Sequence, residues 1–243
     1  MNLSSQEQQN LSSYETPQQL AVYDTERLQP VERQIFKEVF SGTPLRVLDL
    51  GCGTGRTTVH LKQLGHDVVG VDLSSAMINR AREKHPDIDF RVMNATELEF
   101  TDASFDAALF SFNGLDCIYP EAKRWQAVAE VRRVLRPAGR FVLSSHNSFA
   151  WPTNRYVLFW WALNIVTGKI FTPFRLEYKS FRQGAKFIYF MRRPRRQIRD
   201  MVKRGFAFRD IFSKLDHPFL EGTKNLFLIS LFDSWPYYLF EKK

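Results

Sequence analysis

The residues best suited to chemistry in this 243-residue chain lie in Val47-Leu48-Asp49-Leu50-Gly51-Cys52-Gly53-Thr54-Gly55. A short apolar run that leads straight into three alternating glycines lets the backbone approach a ligand closely, because no Cβ stands in the way. Asp72 closes the next apolar run, 23 residues after Asp49. A carboxylate at that place accepts hydrogen bonds from both hydroxyls of a ribose. A dinucleotide site calls for G-x-G-x-x-G, with the third glycine packing a helix whose N-terminus faces pyrophosphate. Here the third glycine comes one residue early, Arg56 holds the dinucleotide-glycine position, and Asp49 precedes the loop. An acid there repels pyrophosphate and suits a cationic amine. The pattern favours a charged amino-acid nucleoside over NAD, with a chance glycine-rich turn as the alternative.

A second group of polar residues follows the fourth and fifth predicted strands, on the same sheet edge: Ser111-Phe112-Asn113 and His146-Asn147. His146 is the candidate general base, since imidazole titrates near neutrality; the alternative is a neutral histidine bonded to backbone. Asn113 is a candidate for orienting an acceptor amine or hydroxyl, and Asp116 reads as a helix cap. Asn147 and Trp151 are candidate acceptor contacts. Cys52 reads as a small residue tolerated in the loop. With two cysteines and five histidines lacking H-x-x-x-H spacing, neither a disulfide framework nor a metal site is indicated.

Alternating strands and helices must position these groups. Strands are predicted at 45–50, 66–73, 88–95, 105–112 and 140–145, with helices at 57–64, 74–85 and 120–135 between them. That order predicts an α/β fold with a doubly wound, mostly parallel sheet and helices on both faces. Residues 1–20, rich in Gln, Ser and Asn, read as a mobile arm, and 21–243 as a single domain. Residues 149–184 read as an aromatic-rich insertion covering an acceptor pocket. Late strands are expected at 186–191, 206–212 and within 225–243, with a helix at 194–203. No apolar run reaches the roughly 18 to 20 residues that span a bilayer. Without a basic n-region or apolar h-region at the N-terminus, secretion is not expected and a cytoplasmic location is. The net charge of +8 is concentrated between Lys169 and Lys214, where fourteen bases meet three acids. Such a segment attracts phosphates, nucleic acid or anionic lipid, or forms a solvated helix face.

Five segments in unbroken order resemble class I S-adenosylmethionine-dependent methyltransferases of the small-molecule, type 11-like branch. They are VLDLGCGTGRTTVHL (47–61), VVGVDLSSAMINRARE (68–83), RVMNATELEF (91–100), FDAALFSFNGLDCI (105–118) and EVRRVLRPAGRFVLSS (130–145). The resemblance implies a seven-stranded Rossmann-like sheet whose last strand, within WPYYLFEKK, runs antiparallel. It implies that Gly51, Cys52, Gly53, Thr54 and Gly55 wrap the methionine portion of S-adenosylmethionine, with Asp49 near its amino group. Asp72 would hold the ribose, and Leu73 and Met77 would flank adenine. Asn94 and Ala95 would meet the adenine amine, and Ser111 would offer its carbonyl to the methionine amine. Asn94 departs from the usual Asp of that position, though an amide oxygen also accepts a hydrogen bond. Tyr14 and Tyr23 would fold over the acceptor. The expected function is methyl transfer to nitrogen or oxygen of a small molecule, leaving S-adenosylhomocysteine. The alternatives are an RNA (tRNA) methyltransferase using the basic 169–214 segment, and a non-catalytic cofactor-binding partner protein. Peripheral membrane contact by 156–166 is a further possibility.

Overall fold

The computed structural model describes residues 3–148, 162, 166–167, 174–179, 186–213 and 223–243. Strand β1 (Arg46–Leu50) is buried along all but its first residue, as a strand covered by helices on both faces must be. It pairs in parallel with β2 (Asp67–Asp72), Val47 opposite Val68, and with β4 (Phe105–Phe110), Val47 opposite Ala107. β3 (Asp89–Val92) extends the sheet beyond β2, and β5 (Leu135–Ser144) extends it beyond β4. β9 (Tyr237–Lys242) runs antiparallel to both β5 and β8 (Phe206–Phe212), completing the order β3-β2-β1-β4-β5-β9-β8. The doubly wound sheet and its antiparallel C-terminal strand are therefore present. Strand order reverses between β1 and β4, which opens a crevice beyond their carboxyl ends.

Alternate β1 side chains feed two cores. On one face, Val47 joins Val31, Ile35, Phe36 and Val39 of α3 (Pro30–Val39) and Leu61 of α4 (Arg56–Gln63). On the other, Leu48 and Leu50 pack with Ala127, Val128, Val131 and Val134 of α6 (Glu121–Val134). Ile78 and Ala81 of α5 (Ser75–Lys84) close on Phe90 and Cys52. These apolar stripes hold β1, β2 and β4 rigidly, so the loops at their ends sit on a fixed frame.

Three elements differ from expectation. In place of an arm with little fixed structure, residues 5–23 form α1 (Ser5–Tyr14) and α2 (Pro17–Tyr23). Ser4 and Glu7 make a reciprocal capping box, and Thr16 caps α2 ahead of Pro17, so local bonds order a segment that composition reads as loose. NLFLISLF, expected as a strand, is α8 (Leu226–Phe232), because the Asn225 side chain accepts from the Phe227 and Leu228 N–H groups. An apolar run of that length is ambiguous until its cap is recognised. Within 149–184, β6 (Phe174–Lys179) pairs with β7 (Lys186–Met191) as a separate hairpin; most of the expected insertion, Trp151 and 156–161 among it, lies outside the described residues. α7 (Pro194–Val202) matches its expected helix. No helix among the described residues is long and apolar enough to cross a membrane.

Candidate active site

β1 delivers the chain into the glycine loop. Gly53 (φ +57°) and Gly55 (φ +91°) take a left-handed backbone that side chains rarely adopt. A Cβ on Gly55 would also stand 2.8 Å from the Phe90 ring. Asp72, at the end of β2, pins this loop: its Oδ2 accepts the Gly53 N–H and its Oδ1 the Ser74 N–H, each at 2.9 Å. Ser74 in turn caps α5, its hydroxyl accepting the Met77 N–H (3.1 Å). Burial raises the Asp72 carboxyl above its ordinary range despite those bonds.

Asp49 lies beneath the loop and is fully buried. Its Oδ2 accepts from the Thr57 and Thr58 hydroxyls, each at 2.7 Å, while Oδ1 is buried with no partner among the described residues. Desolvation pushes this carboxyl from 3.8 up to about 6, against the two threonine bonds. The carboxylate is thus clamped through one oxygen and unpartnered at the other, and it does not itself line the cavity above it.

A cavity opens above these acids. Gly51, Cys52, Gly53, Thr54, Asp72, Leu73, Met77, Asn94, Ala95 and Ser111 line it together with Tyr14 and Tyr23. Ten of the expected cofactor residues therefore meet in one cavity; Asp49 sits below its wall, and Gly55 sits behind it as the N-cap of α4. Asn94 Oδ1 accepts the Thr96 N–H (3.0 Å) and keeps a second lone pair. The N-terminal helices form the roof. Thr54 donates to the Tyr23 carbonyl (2.8 Å), and Ser74 donates to Glu15 (2.9 Å). Glu7, Asn10 and Leu11 of α1 also line the cavity, and sequence reading missed them because it left that segment without structure.

Sequence reading also missed a buried polar network beside the loop. Arg56 grips Glu32 of α3 through both terminal nitrogens, and its guanidinium lies 5.1 Å from the Phe112 ring centre. Ser111 and Tyr237 both donate to Glu32 Oε1. Burial alone would raise the Glu32 pKa, but the Arg56 bonds and charge outweigh it, and the group sits below the ordinary range. The Ser111 side chain thus anchors α3 and β9 rather than facing a ligand. Only the Arg56 departure from the dinucleotide pattern hinted at this network.

His146 and Asn113 meet each other but do not line the cavity. Asp116 Oδ2 bonds His146 Nδ1 (2.9 Å) and its backbone N–H (2.6 Å), and His146 Nε2 faces the Asn113 amide at 3.1 Å. Asp116 is therefore no helix cap. It is a fully buried carboxylate that also pairs with Arg124 (2.7 Å) and accepts from Ser145 (2.8 Å). Burial opposes its ionisation, yet the Arg124 charge and the His146 bonds hold it below the ordinary carboxylate range. Phe112 (φ +55°) and Asn113 (φ +59°) both hold left-handed backbone, costing about 1–3 kcal/mol each. An aromatic chain joins this cluster to the cavity: Tyr14 to Tyr23 (5.6 Å), Tyr23 to Phe112 (6.0 Å), Phe112 to Trp235 (4.6 Å) and Trp235 stacked on His146 (5.8 Å, 7°). The Asn147 amide donates to the Ser230 and Asp233 carbonyls (3.0 and 2.8 Å), tying α8 to the end of β5 rather than facing an acceptor.

A methyltransferase-domain family model matches residues 47–139, the stretch from β1 through the start of β5. That stretch is thus similar to methyltransferase domains. The domain is 40% identical over 106 residues to a demethylmenaquinone methyltransferase of Beutenbergia cavernae, covering 44% of this chain and 42% of that protein. It is 33% identical over 105 residues to the 27-O-demethylrifamycin SV methyltransferase of Amycolatopsis mediterranei, covering 40% and 37%. The chain thus spans about two fifths of the curated relatives it matches. In fold it is similar to Burkholderia thailandensis 1,6-didemethyltoxoflavin-N1-methyltransferase, solved with its substrate and S-adenosylhomocysteine, at a TM-score of 0.63 and 19% identity over 100% of this chain and 92% of that one. Two features of this domain's structure suit the cofactor. Asp49 Oδ1 is a buried acceptor without a partner, matched to an ammonium group, and the glycine loop exposes backbone beside an acid that faces the cavity.

Proposed function

We propose that this protein methylates a nitrogen or oxygen of an apolar, ring-bearing small molecule. One observation carries the reading: a single cavity is bounded by the glycine loop and Asp72 on one side and by Tyr14, Tyr23 and Phe112 on the other. Asp49 and Asp72 would hold the amine and ribose of the cofactor, while Leu73 and Met77 would flank its adenine. Bound there, S-adenosylmethionine supplies a methyl group on an already activated sulfonium. What remains for the chain is alignment and exclusion of water, and positioning alone contributes about 7–11 kcal/mol in well-oriented reactions. The aromatic wall does both, since flat rings hold a flat acceptor and keep solvent out. The relatives named for demethylmenaquinone and demethylrifamycin point to the same acceptor class.

Where the acceptor carries a proton, His146 would take it only once Nε2 leaves the Asn113 amide and reaches the cavity, because neither residue lines it in this structure. The test is transfer of labelled methyl from S-adenosylmethionine to a panel of phenols, hydroxyquinones and heteroaromatic amines, with bulk tRNA in parallel. Label in a ring-bearing small molecule is expected. Label in tRNA alone, or tight cofactor binding without transfer to any pool, would overturn the proposal.

A further inference from the structure

The fold divides the basic C-terminal segment into two populations. Seven bases and one acid lie between Met191 and Gly205. Arg192 is buried and paired with Glu121 and Asp200, and Arg204 lies flat on Trp125 (3.6 Å). These two are structural. Arg193, Arg195, Arg196 and Arg199 instead line a second cavity, between the first half of α7 and the α8 residues Phe227 and Leu231. Asp200 stands 3.8 Å from Arg196 and 4.0 Å from Arg199, and it already serves Arg192. Phe227 is 58% exposed on the rim of the same cavity. Cationic side chains beside an exposed aromatic are what an anionic bilayer surface selects: guanidinium groups pair with headgroup phosphates while the aromatic enters the acyl boundary. A small anion gives no use for the phenyl ring, and duplex RNA gives none either, because its bases are stacked away from such a contact. Asn147 ties α8 to the end of β5, so this surface lies on the sheet edge that carries His146.

We propose that α7 and α8 form a docking surface for an anionic phospholipid bilayer. Arg195 and Arg199 contact headgroups, and Phe227 is the inserting residue. Each arginine near such a surface contributes about 1 kcal/mol, or about fivefold in binding at 25 °C. The test is co-sedimentation of the full chain with phosphatidylcholine vesicles, with and without about one third phosphatidylglycerol. R195A/R199A, F227S and a mixed-tRNA shift assay run alongside, and circular dichroism checks that each variant is folded. The expected result is phosphatidylglycerol-dependent binding that falls about 25-fold in R195A/R199A, falls several-fold in F227S, and weakens with salt. Binding that ignores phosphatidylglycerol, or is unchanged in the arginine variant, would overturn the proposal. So would an undiminished F227S, which marks a simple anion site, or tRNA binding through the same arginines without vesicle binding.

Discussion

Replacing Asp49 with asparagine should weaken the cofactor's hold while leaving the fold intact. The carboxylate is fully buried, clamped by Thr57 and Thr58 through Oδ2, with Oδ1 free to accept. A charge-assisted bond from a ligand ammonium is worth about 1.5–3 kcal/mol, so D49N should weaken S-adenosylhomocysteine binding about 10- to 150-fold at pH 7.5. The effect on stability runs the other way. A folded-state pKa of about 6 against 3.8 means the fold binds this proton more tightly than the unfolded chain does. Stability is therefore lost as pH rises from about 4 through 6, by roughly 3 kcal/mol. Asparagine removes that penalty at pH 7.5, but its NH2 group takes the buried Oδ1 position and leaves about 1–3 kcal/mol unsatisfied. The apo variant should thus be as stable as the wild type or up to about 2 kcal/mol more stable, a rise of a few degrees in Tm. Calorimetry at pH 5 and 7.5 completes the test. Protonation of Asp49 should weaken wild-type binding about tenfold at pH 5, whereas D49N should stay flat. A D49N Kd within threefold of wild type, or a wild-type Kd unchanged across that range, would refute the reasoning.

Three further outcomes follow from the same contacts. Glu32→Gln leaves Arg56 without its buried carboxylate and should cost about 3–5 kcal/mol in urea-induced unfolding. Asp116→Asn leaves the fully buried Arg124 without its carboxylate and should likewise cost about 3–5 kcal/mol in urea-induced unfolding. Burial holds the Cys52 thiol well above its ordinary pKa and pushes Cys117 up to about 12, so neither should react with a thiol-specific disulfide reagent within minutes at pH 8 until denaturant is added.

What the sequence made legible follows from the range of the interactions. The glycine loop, Asp72 and the caps of α4 and α5 are local, and each is announced by residue types within a few positions. The strands of the doubly wound half were readable because buried parallel strands are apolar throughout. The Glu32 network was not readable: its partners Ser111 and Tyr237 lie 79 and 205 residues away, and only folding brings them together. Asp116 was mistaken for a cap for the same reason, since His146 and Arg124 reach it from other elements. The N-terminal helices were missed because composition outweighed the Ser4–Glu7 box, and α8 because an apolar run of that length fits a strand or a helix. Net charge alone did not separate the buried, paired Arg192 from Arg195 and Arg199, which line the second cavity.

The most direct measurement is a crystal structure grown with saturating S-adenosylhomocysteine. The contacts described here require its amine on Asp49 Oδ1, its ribose hydroxyls on Asp72, and its adenine between Leu73 and Met77. A cavity without ligand density at millimolar concentration, or a nucleoside bound away from both acids, would contradict them.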